Sequence, residues 1–93
     1  MLTLEQAKEI LRVDGTANDT IIQSLVASLP AYIETTTGMT PEQQYNETLC
    51  YTVGGFLLTL WYYSDQADDI KLQRTIDNLL KAISVRARKS GTT

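Results

Sequence analysis

The sequence predicts an all-α fold: one domain of four helices around a long central apolar helix over about residues 41–64. Three observations carry this. Apolar residues recur at i, i+3, i+4 and i+7 in the flanking segments. "TLEQ" at 3–6 and "TPEQ" at 40–43 both have capping-box spacing. No stretch alternates apolar and polar residues with period two between turn signals.

The first helix opens at Thr3, which can accept from the backbone N–H of Gln6 while the Gln6 side chain reaches back. Leu4, Ala7, Ile10 and Leu11 follow at helical spacing, so the helix runs to about Arg12. "VDGTAND" breaks it. Gly15 can take positive φ there, and Asn18 or Asp19 stands where a cap is needed.

A second helix carries Ile21, Ile22, Leu25, Val26, Leu29, Tyr32 and Ile33 in one broad stripe. Pro30 removes one backbone hydrogen bond. The stripe stays in register across it, so a kink is expected rather than a break. Gly38 is placed as a left-handed C-cap residue. Pro41 then occupies the favoured first position of the third helix, expected from about Pro41 to Ser64. The fourth helix should run from Asp68 or Asp69 to Arg88, with Ile76, Leu79, Leu80 and Ile83 on its inner face. The domain is taken as residues 1–89, with 90–93 a frayed tail.

The third helix poses the main question. From Thr48 to Ser64 it carries no charge, and Gly54 and Gly55 interrupt it. Each glycine costs a helix interior roughly 0.8–1 kcal/mol relative to alanine. At roughly 100° per residue, Leu49, Val53, Phe56 and Leu60 cluster on one side, flanked by Tyr45, Leu57 and Tyr63. Tyr51, Leu58 and Tyr62 lie opposite, bracketed by the two glycines. A helix apolar all round is buried on every side or lies in a membrane. A span needs about 20 mostly apolar residues. This run has 17, and acids rather than Lys or Arg flank it, so the membrane is the weaker reading. A central helix wrapped within one subunit and a contact between subunits both stay open.

Composition narrows the chemistry. The chain has 93 residues, no histidine and one cysteine, Cys50. It therefore lacks the commonest general base and metal ligand and cannot form an intrachain disulfide. The N-terminus has neither a basic nor an apolar leader segment, so no secretory signal is expected. Cys50 reads as a core thiol. "DGTAND" fails the calcium-loop pattern, with Asp19 where glycine is needed and Leu25 where glutamate is needed. Asp65, Asp68 and Asp69 read as a joint and a helix start. No phosphate-binding or hydrolase motif occurs. No cofactor, metal or catalytic residue is expected.

Charge is unevenly spread. Residues 1–69 hold ten acids and two bases, while residues 70–93 hold six bases and one acid. The basic end suits phosphate contact or the acidic body of another copy. It is no groove-reading array, because Arg86, Arg88 and Lys89 do not share one narrow face and no aromatics interleave.

The order of pieces is similar to that of a known family. "LEQAKEILRVDG", "NDTIIQSLVASLPAYIETTTG", a helix ending "LLTLWYY" and "TIDNLLKAISVR" follow one another as in the small head–tail connector proteins of tailed bacteriophages. The resemblance implies a helical, non-enzymatic virion protein at the head–tail junction, present in the host cytoplasm during assembly. It implies a homo-oligomeric ring under the portal protein that extends the DNA channel and meets a downstream connector or stopper. Neighbour contact is then expected through Tyr51, Gly54, Gly55, Leu58 and Tyr62, with Lys81, Arg86, Arg88 and Lys89 as the electrostatic set. The alternative is a DNA-associated packaging factor of the terminase accessory type, working through the basic C-terminal helix.

Overall fold

The computed structural model describes residues 2–63 and 69–91. Five helices follow one another: α1 (Leu4–Leu11), α2 (Asp19–Thr37), α3 (Pro41–Gln44), α4 (Thr48–Tyr62) and α5 (Asp69–Gly91). No strand occurs among the described residues. The all-α, single-domain expectation holds, with one helix more than predicted.

Both capping boxes form. The Gln6 N–H donates to Thr3 Oγ1 at 3.1 Å and the Thr3 N–H to Gln6 Oε1 at 2.9 Å. The matching pair at Thr40 and Gln43 measures 3.3 and 3.0 Å. Two N–H groups that an open helix end leaves orphaned are thus satisfied at each start.

α1 ends in a Schellman motif: Val13 N–H reaches the Lys8 carbonyl at 2.9 Å and Arg12 N–H the Glu9 carbonyl at 3.2 Å. The position between helix and loop demands a left-handed backbone, and Arg12 supplies it at φ 57° where glycine is usual. Gly15 and Gly38 take φ 82° and 84° without strain. α2 runs unbroken through Pro30 to Gly38, whose N–H closes on the Glu34 carbonyl at 2.8 Å.

The predicted third helix divides in two, and Gln44 is the reason. Its side chain is buried, and Nε2 donates to the Pro30 carbonyl at 3.0 Å and the Met39 carbonyl at 2.9 Å. With Gln44 drawn inward, Tyr45, Asn46 and Glu47 close tight i→i−3 turns. Glu47 then takes an extended backbone and caps α4 through its carboxylate. Asn46 and Glu47 were the available signal, a turn former followed by a capping acid. Tyr45 consequently lies outside α4 and is exposed.

The core joins all the long helices. Ala7 and Leu11 come from α1, and Ile22, Val26, Leu29 and Ile33 from α2. Val53, Leu57 and Leu58 come from α4, and Ile76, Ile83 and Ala87 from α5. The stripe of α2 is narrower than predicted, since Ile21 and Tyr32 are exposed. On α5, Leu79 and Leu80 are half-buried. α5 opens at Asp69 as expected and runs to Gly91. The predicted helical end at Ser64, the joint acids Asp65 and Asp68, and the last two residues lie outside the described residues.

Arg12 generates a test. A non-glycine residue in the left-handed region costs about 1–2 kcal/mol, partly offset by the extra freedom glycine has when unfolded. Arg12→Gly is therefore expected to raise unfolding free energy by up to about 1 kcal/mol in urea titration. A lower stability would show that the Arg12 side chain holds the turn.

Candidate functional site

Two surfaces and one clamp arise around α4. Because α4 has no charge to offer water, its neighbours decide what remains exposed. α1, α2 and α5 all pack on it. Its buried face consists of Cys50, Val53, Gly54, Leu57 and Leu58. This face is turned by roughly a quarter of the wheel from the one predicted, because the small residues Cys50 and Gly54 point to the centre. Leu49, Phe56 and Leu60 are only half-buried.

The five residues expected at a neighbour contact therefore separate. Gly54 and Leu58 are buried within the subunit, Leu58 at 0 % exposure, so a neighbour cannot touch them while the core stays closed. Tyr62 also turns inward, its hydroxyl accepting from Asn18 Nδ2 at 2.7 Å. Tyr51 and Gly55 remain half-buried. They border an open groove of about 400 Å³ between α1 and α4, together with Ile10, Thr52, Phe56 and Thr59. Ile10 lies over Gly55, where an added methyl group would meet Ile10 Cδ1 at 3.5 Å, an ordinary contact. The first helix is thus what approaches the second glycine.

The clamp uses the tyrosines that end α4. Tyr63 hydroxyl donates to the Leu11 carbonyl at 2.7 Å, one of the orphan acceptors at the end of α1. Tyr62 holds Asn18, the N-cap residue of α2, whose side chain makes no cap of its own. The two rings meet edge to face at 4.8 Å between centroids. Lys8 ties the same loop from outside, pairing with Asp19 at 2.9 Å and donating to the Gly15 carbonyl. Both ends of the α1–α2 loop are fixed, a role sequence spacing alone did not assign to Tyr62.

On the other flank, the four residues expected as an electrostatic set also separate. Arg86 Nε pairs with Glu47 Oε2 at 2.6 Å, so it latches α5 to the start of α4. Lys81, Arg88 and Lys89 are exposed. Arg74, Lys81 and Arg88, also exposed, recur every seven residues and make one row along the outside of α5. Successive members stand roughly 10 Å apart along the axis. Sequence reading missed this row by starting at residue 81.

Cys50 is buried, with Sγ 3.6 Å from Met39 Sδ. Burial, aided by the Glu47 carboxylate, pushes its thiol from an ordinary 9.0 to about 11. It is a core thiol, not a nucleophile. Among the described residues no cluster of acids or cysteine could hold a metal ion, and no helix is long and apolar enough to cross a membrane.

A family model described as phage gp6-like head-tail connector protein matches residues 1–89. The chain belongs to that family. No curated protein and no solved structure matches it. The connector is accordingly a structural protein without enzymatic activity, and its partners are other phage head and tail proteins.

Three outcomes follow for the connector. Tyr63→Phe leaves the Leu11 carbonyl without its donor and should lower stability by about 1–2 kcal/mol. Tyr62→Phe should cost less, since Asn18 can turn toward water; equal losses in urea unfolding would contradict this asymmetry. At pH 8, iodoacetamide should alkylate native Cys50 at least about 100-fold more slowly than the unfolded chain, from the thiolate fraction alone. The native rate should climb as pH rises toward 11, and fast labelling at pH 8 would refute the buried thiol.

Proposed function

We propose that the connector assembles into a homo-oligomeric ring beneath the portal, extends the DNA channel and offers a surface to the next connector or stopper. The supporting observation is charge left over after the subunit has folded. Lys8–Asp19 and Arg86–Glu47 pair internally. Glu5, Glu9, Asp14, Glu34 and Glu42 stay exposed on the α1–α3 side and outnumber Arg12 there, while Lys71, Arg74, Lys81 and Arg88 on α5 outnumber Asp77. A subunit with one acidic and one basic surface complements another copy head to tail, and a head-to-tail contact closes into a ring when its rotation permits. Tyr51 and Gly55 remain candidates for the contact. Lys81 and Arg88 remain candidates for its electrostatic side.

Light scattering across a protein concentration series tests this reading. A defined high-order oligomer that weakens between low and high salt is expected. A strict monomer at every concentration would overturn the ring. Salt-dependent DNA binding by such a monomer, weakened on neutralising Arg88 and Lys89, would instead favour the packaging-factor reading.

A further inference from the structure

The groove between α1 and α4 and the outer face of α5 lie on different flanks of the subunit. α1 has its main contacts on α2 and α4, and α5 on α4 and α2. Their chemistry is complementary. No charged residue lines the groove, and Gly55 contributes no side chain to its wall. α1 exposes Glu5 and Glu9 on its outward side, Glu9 the nearer to the groove at roughly 100° around the helix from Ile10. On α5, Val85 is an apolar side chain left 41 % exposed. Lys81 and Arg88 stand four residues before it and three after it, on the same face and both exposed.

We propose that the α1–α4 groove receives Val85 of a second copy, with Lys81 and Arg88 of that copy meeting the acids of α1. This rests on the ring reading and names the two surfaces that mate. Three features commit the groove to a second copy. The apolar knob is matched to an apolar recess large enough for a valine side chain. The cations flanking the knob face a flank bearing exposed carboxylates. The two patches occur on different sides of one subunit, so each copy can offer one and use the other, the condition for a heterologous contact. Nucleic acid would satisfy the cations but leave Val85 and the groove without a partner.

Crosslinking decides it. Thr52→Cys and Val85→Cys are made in separate full-length proteins, both at exposed positions, with Cys50 buried in each. A short bismaleimide should yield covalent dimers when the two proteins are mixed and none with either alone. Val85→Asp, at the same exposed position, should raise the concentration for half-assembly at least tenfold without changing helicity. An oligomer that forms regardless of Val85→Asp and gives no mixed crosslink would overturn the surface assignment while leaving the ring standing. Dimers from either cysteine variant alone would overturn it too, by showing a two-fold contact. A monomer at all concentrations would remove both the ring and this contact.

Discussion

The fold depends on one constraint: α4 has no charged residue with which to meet water. Every other element can be read as a partial answer to it. α2 and α5 bury the side formed by Val53, Leu57 and Leu58. α1, only eight residues long, covers the rim at Gly55 with Ile10. Burying a large aliphatic side chain is worth about 1.5–3 kcal/mol. The α4 core residues therefore outweigh the cost of two glycines in one helix, roughly 2 kcal/mol. Gly54 belongs to the buried face, and Gly55 lies under Ile10 of α1 at a distance where an added methyl group would make an ordinary contact.

Covering an apolar helix also requires holding the cover in place, and polar groups do that. The α1–α2 connection begins with an arginine in a left-handed conformation and ends at a helix start whose cap residue is turned elsewhere. Alone, such a connection would be soft. Tyr62 and Tyr63 bond its two ends from one site on α4, and Lys8 bonds it from the outside. Gln44 plays the same part on the other side, tying the middle of α2 to the turn after it. The helix apolar in its body is thus polar at its C-terminal tyrosines, and those contacts set where α1 lies over the glycine.

Much of this was legible in the sequence because it rests on local rules. Both capping boxes, Gly15, Gly38, the passage of α2 through Pro30 and the start of α5 depend on residues within a turn of one another. What was illegible depends on long-range partners. The buried face of α4 was placed off-centre because a wheel weighted by large side chains undervalues Cys50 and Gly54. The break before α4 needed Gln44 to find Pro30 and Met39 in space. Tyr62 was read as outward because its partner, Asn18, is 44 residues away. Of the contact residues expected from sequence, Tyr51 and Gly55 border the groove, whereas Gly54 and Leu58 are occupied by the core. Arg86 is occupied by Glu47.

Chain length explains why a groove is left over. Small domains bury a smaller fraction of their surface than large ones. Here the helix that would complete the cover of α4 stops at Leu11, where the Schellman turn sends the chain toward α2. A subunit that folds with its central helix incompletely covered, and with acids and bases segregated on different flanks, keeps both apolar area and charge in reserve for contact with another molecule. That reserve is what a connector requires, since its work is contact, and the same shortness of chain that limits its core supplies it.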